Sequence, residues 1–298
     1  MALLNAGAGT GHDAALIERL RASFAAQGAA VDAQLVDDPA ALPAMVAAAR
    51  AGGADAIVAG GGDGTVSAVA GALAGTGVAL GVLPLGTLNH FAKDLGLPLD
   101  VDDAIEAIVH GEATRVDLGE VNGRRFVNNS SLGLYPDIVR DRERQQRRLG
   151  RGKWSAAAWA TLAALRRYPL LGVSLAVDGD RRVCRTPFVF IGNNVYAMEG
   201  FAIGARPRID DGCLSLYVAP LAGRARLLML ALRALLGRLR PARDFEASVA
   251  SEIVVESGHR MLRVATDGEV TLMAPPLRYR IEPRALVVLR PAAPTARG

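Results

Sequence analysis

Short apolar runs alternate with longer amphipathic stretches over roughly the first 115 residues. ALLN (2–5), AAVDAQLV (29–36), ADAIVAG (54–60) and VALGVLPL (78–85) have the length of strands. Between them, DAALIERLRASFAAQ (13–27), PAALPAMVAAARA (39–51) and TVSAVAGALAG (65–75) carry apolar residues at helical spacing, the first two closed by Gly28 and by Gly52–Gly53. VDDAIEAIVHG (101–111) predicts a fourth helix. This order is that of βα units building a mostly parallel sheet. After residue 115 the texture changes. TRVDLGEVNGRRFVNNSSLG (114–133) sets Asn122-Gly123 between apolar runs, the pattern of a hairpin, and LLGVSLAVDGDRRVCRTPFVFIGN (170–193) repeats it with Asp178-Gly179. The second half is therefore expected to be β-rich, with helices inserted at about 153–168 and 222–237. The domains predicted are an α/β domain over 1–115 and a β-rich domain over 116–298.

A chain of 298 residues with 51% hydrophobic content can bury a full core. Two cysteines, Cys184 and Cys213, form neither a metal-ligand spacing nor a disulfide framework, which points to a reducing compartment. Four scattered histidines argue against a histidine-ligated zinc. The first residues hold neither a basic n-region nor a long apolar h-region, so a cytoplasmic protein is expected, although the short first strand leaves a start further upstream open. Arginines at 224, 226, 233, 238 and 240 interrupt the longest apolar stretch, 221–240, which makes it a poor membrane span.

The net charge of +4 is modest, and the segment 140–154 concentrates seven basic residues against two acidic. That segment reads either as a solvated helix face or as a contact with an anionic membrane surface. No nucleic-acid-binding module accompanies the charge, so no nucleic-acid partner is expected.

The chemistry begins at VAGGGDGTVSAVAG (58–71), a glycine run between a strand and a helix. Such a loop lets backbone N–H groups meet an anion at a helix N-terminus, and it also serves as a plain connection. Neither the Walker A spacing nor the dinucleotide fingerprint fits it. Asp63 reads as a phosphate-site acid or as a cap on the helix that follows. Asp267-Gly268-Glu269 reads as a hairpin turn or as the carrier of a reactive carboxylate.

GGDGT (61–65), LPLGTLNHFAKDLGLP (83–98), RIDDGCLSLYV (208–218) and TDGEV (266–270) occur in that order, and together they resemble the diacylglycerol kinase catalytic-domain family, including bacterial soluble lipid kinases and sphingosine kinases. The resemblance implies an α/β nucleotide-binding domain of the NAD-kinase and phosphofructokinase type, followed by a β-sandwich domain, with the active site between them. It also implies that the last segment, YRIEPRALVVLRP (279–291), returns to the first domain.

The implied activity is ATP-dependent phosphorylation of a hydroxyl on a diacylglycerol-like or sphingoid lipid. Phosphoryl transfer asks mainly for positioning, charge neutralisation and a proton acceptor. The resemblance assigns nucleotide binding to Asn5, Gly7, Gly9, Gly61, Gly62, Asp63, Gly64, Thr65 and Thr87. It makes Asp63 catalytic through a metal or water, and Glu269 the general base. It gives Mg²⁺ the Asp211 carboxylate and the backbone carbonyls of Arg208 and Cys213, with a second Mg²⁺ arriving with ATP. This chain departs from the family pattern at Ala6, Val36, Ser67, Ala68 and His90; the changes at 36, 67 and 68 are expected to remove polar contacts near the nucleotide. An NAD kinase and a catalytically silent lipid-binding or regulatory protein on the same fold are the alternatives.

Overall fold

The computed structural model describes residues 1–7, 14–133, 170–196, 198–199, 202–203, 206–218 and 246–292. Gly9, the basic segment 140–154 and the helices expected at 153–168 and 222–237 lie outside the described residues.

The first part runs β1 (Ala2–Asn5), α1 (Ala14–Ala26), β2 (Ala33–Val36), α2 (Leu42–Ala51), β3 (Ala56–Gly61), α3 (Asp63–Leu73), β4 (Ala79–Pro84), α4 (His90–Asp94) and α5 (Val101–His110). The strands pair in parallel in the order β2-β1-β3-β4. Successive side chains on a strand point to opposite faces, and here both faces are covered. Leu3, Ile57, Ala59, Leu80 and Val82 pack on one side with Val46 of α2, Val69 of α3 and Phe91 of α4. Leu4, Val58 and Leu83 pack on the other with Leu20 and Phe24 of α1 and Ile105 of α5. The continuous apolar runs in the sequence are the signature of this two-sided burial.

The chain continues as β5 (Glu112–Val121), β6 (Arg124–Phe126), β7 (Asn129–Gly133), β8 (Leu171–Val177), β9 (Asp180–Thr186), β10 (Phe188–Asn193), the short pair β11 (Met198–Glu199) and β12 (Ala202–Ile203), β13 (Leu214–Val218), β14 (Glu246–Ala250), β15 (Glu252–Ser257), β16 (Leu262–Thr266), β17 (Glu269–Met273) and β18 (Leu277–Arg290). Asn122-Gly123, Asp178-Gly179 and Asp267-Gly268 all have positive φ at both residues, the geometry that matches two-residue turns to the twist of a hairpin. They join β5 to β6, β8 to β9, and β16 to β17.

One sheet runs β14-β13-β10-β7-β16-β17. It faces strands of the other sheet across a core that includes Phe126, Leu132, Leu175, Val189, Ile191, Leu216, Ile253, Val264 and Tyr279, which makes the second half a β-sandwich. The fold is thus an α/β domain joined to a β-sandwich.

β18 binds the two halves together. Its first residues pair with β15, Val287 and Val288 pair in parallel with Ala79 and Leu80 of β4, and β5 lies along its other edge. Residue 115, where the sequence changes texture, falls inside β5. The β5–β18 register shifts between Glu282 and Leu286, where Arg284 has positive φ and its N–H donates to the buried Asp117 carboxylate at 2.7 Å.

Candidate active site

The C-terminal ends of β1, β3 and β4 deliver three loops to one place. Gly62 precedes α3 in extended backbone and makes no side-chain cap. Asp63, the first residue of the helix, does not cap it either. Its carboxylate reaches forward to α4, accepting from the N–H groups of Phe91 at 3.1 Å and His90 at 3.3 Å, and from the Asn128 amide at 3.4 Å. The capping reading of Asp63 therefore has the right chemistry on a different helix.

Asn5, at the end of β1, donates to Thr65 Oγ1 at 3.0 Å and accepts from the Gly7 N–H at 2.9 Å. Gly61 is bare because Thr65 stands over it: an added Cβ would lie 2.7 Å from Thr65 Oγ1. Gly86 is bare because its loop touches the first one, with an added Cβ only 2.4 Å from the Gly62 Cα. Asn89 holds that second loop with its side chain, accepting from the Gly86 N–H and donating to the carbonyls of Pro84 and Gly86. Thr87 is exposed on it.

Glu269 comes to the same loops from the sandwich. Its Oε1 lies 3.2 Å from the point where a Cβ on Gly64 would stand, so any side chain at 64 crowds the carboxylate. Its Oε2 pairs with Arg124 at 2.5 Å, and Arg124 also donates to Thr271 Oγ1 at 2.8 Å. Glu269 is thus both a hairpin residue and a carboxylate at the glycine loop, half exposed and held from one side. The structure brings together Asn5, Gly7, Gly61, Gly62, Asp63, Gly64, Thr65 and Glu269, with Thr87 on the adjoining loop.

Arg208, Asp211 and Cys213 sit apart, in the turn entering β13. Asp211 Oδ1 pairs with Arg208 Nε at 2.9 Å, and the Cys213 carbonyl accepts from the Asn194 N–H at 2.9 Å. Burial pushes the Cys213 thiol up. Carboxylate and carbonyl oxygens are the donors that suit Mg²⁺, so the chemistry of the set fits, with Arg208 already competing for the carboxylate. Among the described residues no group of three or more His, Cys, Asp or Glu side chains is arranged for a metal. Asp117 anchors the turn by accepting from the Gly212 N–H at 2.7 Å.

Two family models match the chain: the diacylglycerol kinase catalytic domain over residues 1–121, and the YegS C-terminal NAD kinase beta sandwich-like domain over 137–290. A Mycobacterium tuberculosis diacylglycerol kinase is 32% identical over 256 residues, covering 83% of this chain and 80% of that protein. The chain belongs to the diacylglycerol kinase family. A Chromohalobacter salexigens protein described as "probable lipid kinase YegS-like" is 35% identical over 167 residues, which span only 53% of its length. The crystal structure of a diacylglycerol kinase from Bacillus anthracis shares the fold, with a TM-score of 0.69 over 97% of this chain and 95% of that one, at 19% identity.

In this diacylglycerol kinase family member, two of the departures have structural roles. Val36 is buried in the core, and Ser67 donates to Asp267 at 2.6 Å, a polar contact in its own right. Two residues, Asp267 of the turn and Arg206, join the halves. Asp267 also accepts from the N–H groups of Val127, Asn128 and Asn129; burial pushes its carboxyl above the usual range, while these donors pull the other way. Arg206 has a fully buried side chain paired with Asp94 of α4 at 2.7 Å, and it donates to Asn128 Oδ1 and to the carbonyls of Val127 and Asn193. Removing one partner from such a pair leaves a buried charge unmatched, at a cost of about 3–5 kcal/mol. No local pattern marks Arg206, because its partners lie 13 to 112 residues away.

Proposed function

We propose that this chain is an ATP- and Mg²⁺-dependent lipid kinase that phosphorylates a hydroxyl of a diacylglycerol-like or sphingoid lipid, with Glu269 as general base. The observation that carries the proposal is the Glu269 carboxylate lying against Gly64 of the glycine loop. A base must stand within reach of the acceptor hydroxyl while the phosphates are held nearby, and that pairing of carboxylate and phosphate-type loop meets both needs. In the step proposed, the lipid oxygen bonds to the γ-phosphorus, the bond from that phosphorus to the bridging oxygen breaks, ADP leaves, and the hydroxyl proton passes to Glu269.

Asn5, Gly7, Gly61, Gly62, Asp63, Gly64, Thr65 and Thr87 are proposed to surround the nucleotide. Residues 1–115 then supply mainly the nucleotide side and 116–298 the acceptor side. Contact with an anionic bilayer is proposed for the basic segment 140–154, at about 1 kcal/mol for each basic residue near the surface. Among the described residues no helix is long and apolar enough to cross a membrane.

The test is transfer of γ-labelled phosphate from Mg-ATP to diacylglycerol micelles, sphingoid-base micelles and NAD in parallel. Labelled lipid is the expected product. Labelled NADP without labelled lipid would assign the chain to NAD phosphorylation instead, and no labelled product from any acceptor would favour a silent binding protein.

Mg²⁺ is proposed to take the Asp211 carboxylate and the carbonyls of Arg208 and Cys213, where it would neutralise charge and brace the turn. A chelator is expected to lower the Tm of the wild type and to leave Asp211→Ala almost unmoved. Equal shifts in the two proteins, read by thermal melts with and without added Mg²⁺, would remove the site.

A further inference from the structure

We infer that Asp267 is the positioning residue for Glu269, and that Ser67 is the contact through which it sets the carboxylate against the glycine loop. The inference rests on the reading of Glu269 as general base. Asp267 does not face the acceptor in this view; it acts through the turn that it begins.

Three features of the geometry carry it. First, the Asp267 carboxylate receives four donors: the Ser67 hydroxyl at 2.6 Å and the consecutive N–H groups of Val127, Asn128 and Asn129 at 2.7, 2.8 and 3.0 Å. Two donors meet each oxygen, so both oxygens are fixed. Second, the turn is tight. Asp267 and Gly268 both have positive φ, and Thr266 pairs directly with Glu269, so a carboxylate pinned at 267 fixes the backbone from which Glu269 projects.

Third, Gly64 and Ser67 lie three residues apart on α3 and therefore on one helix face. Gly64 meets Glu269, and Ser67 meets Asp267. The helix that begins at the glycine loop and the hairpin that carries the base are thus registered by two adjacent contacts, one of which is a strong hydrogen bond. The remaining support on this side is less direct: Arg125 donates to the Gly71 carbonyl of α3 and pairs with Glu282 at 2.7 Å. The peptide run 127–129 also links the turn to Asp63, since the Asn128 amide donates to the Asp63 carboxylate. A shift of the Asp267 carboxylate therefore moves the base relative to the loop without removing either.

The experiment is a double-mutant cycle on lipid phosphorylation with Ser67→Ala, Glu269→Gln and the pair, with Ser67→Thr as the conservative variant. Ser67→Ala is expected to lower kcat about tenfold or more, because small misplacements of a reacting group are costly, while the KM for ATP stays within about twofold. Ser67→Thr keeps the hydroxyl and should restore most of the rate. In the Glu269→Gln background the same alanine change should have no further effect, since the group that Ser67 helps to place has lost its function.

An alanine variant with wild-type kcat overturns the inference while leaving the base reading intact, provided that Glu269→Gln is inactive. An equal loss from Ser67→Ala in both backgrounds assigns Ser67 a general structural role and also overturns it. Should Glu269→Gln keep the wild-type rate, the base reading fails, and this inference fails with it.

Discussion

Glu269→Gln is expected to leave ATP affinity almost unchanged and to slow lipid phosphorylation by roughly 10²–10⁴-fold, the range over which a positioned base contributes. Glutamine keeps the size of the side chain and an oxygen for Arg124, so the hairpin from β16 to β17 should hold its shape. The lost ion pair is half exposed and contributes about 0–1 kcal/mol at most, which is too little to unfold the protein. Affinity and chemistry should therefore separate. Calorimetry with a non-hydrolysable ATP analogue, and labelled-phosphate transfer on the same preparation, measure the two. Full activity with normal affinity would leave Glu269 as a turn residue only.

Asp63→Ala and Asp63→Asn, taken together, separate charge from capping. The carboxylate holds the first N–H groups of α4 and the Asn128 amide, so alanine should destabilise the protein by about 1 kcal/mol, the usual worth of a cap. Asparagine keeps one acceptor for those N–H groups and should retain most of that stability. If the negative charge also serves the phosphate site, both variants should lose about 10²-fold or more in turnover, the scale seen when one electrostatic group is removed from an active site. An asparagine variant with wild-type turnover would reduce Asp63 to a brace for α4. Thermal melts and initial rates on the three proteins decide between these outcomes.

Local chemistry was the legible part of this chain. Asn122-Gly123, Asp178-Gly179 and Asp267-Gly268 announce their hairpins because few residues other than glycine, asparagine and aspartate accept positive φ. The apolar runs of β1, β3 and β4 announce a sheet covered on both faces. Strand ends were less clear: the run 29–36 is a strand only over Ala33–Val36, since the pattern does not say where pairing with β1 begins.

What stayed hidden are links between residues far apart in sequence. Ser67 and Asp267 are separated by 200 residues, so Ser67 read only as a lost contact. Asp63 looked like a cap for its own helix because the helix 27 residues further on leaves no trace near it. Nothing local to Arg206 in the sequence shows that its charge is buried against Asp94 between the halves.

The path of β18 has a consequence for how the chain is made. During synthesis the edge of β4 emerges about 200 residues before its partner at 287–288, an interval of roughly 10–40 s at 5–20 residues per second. Throughout it, the growing polypeptide carries a parallel sheet whose inner edge is open, the kind of edge that recruits other strands. Completing the sheet of the α/β half thus waits on β18, which also pairs with β15 of the second half, so the two halves are closed by the same strand.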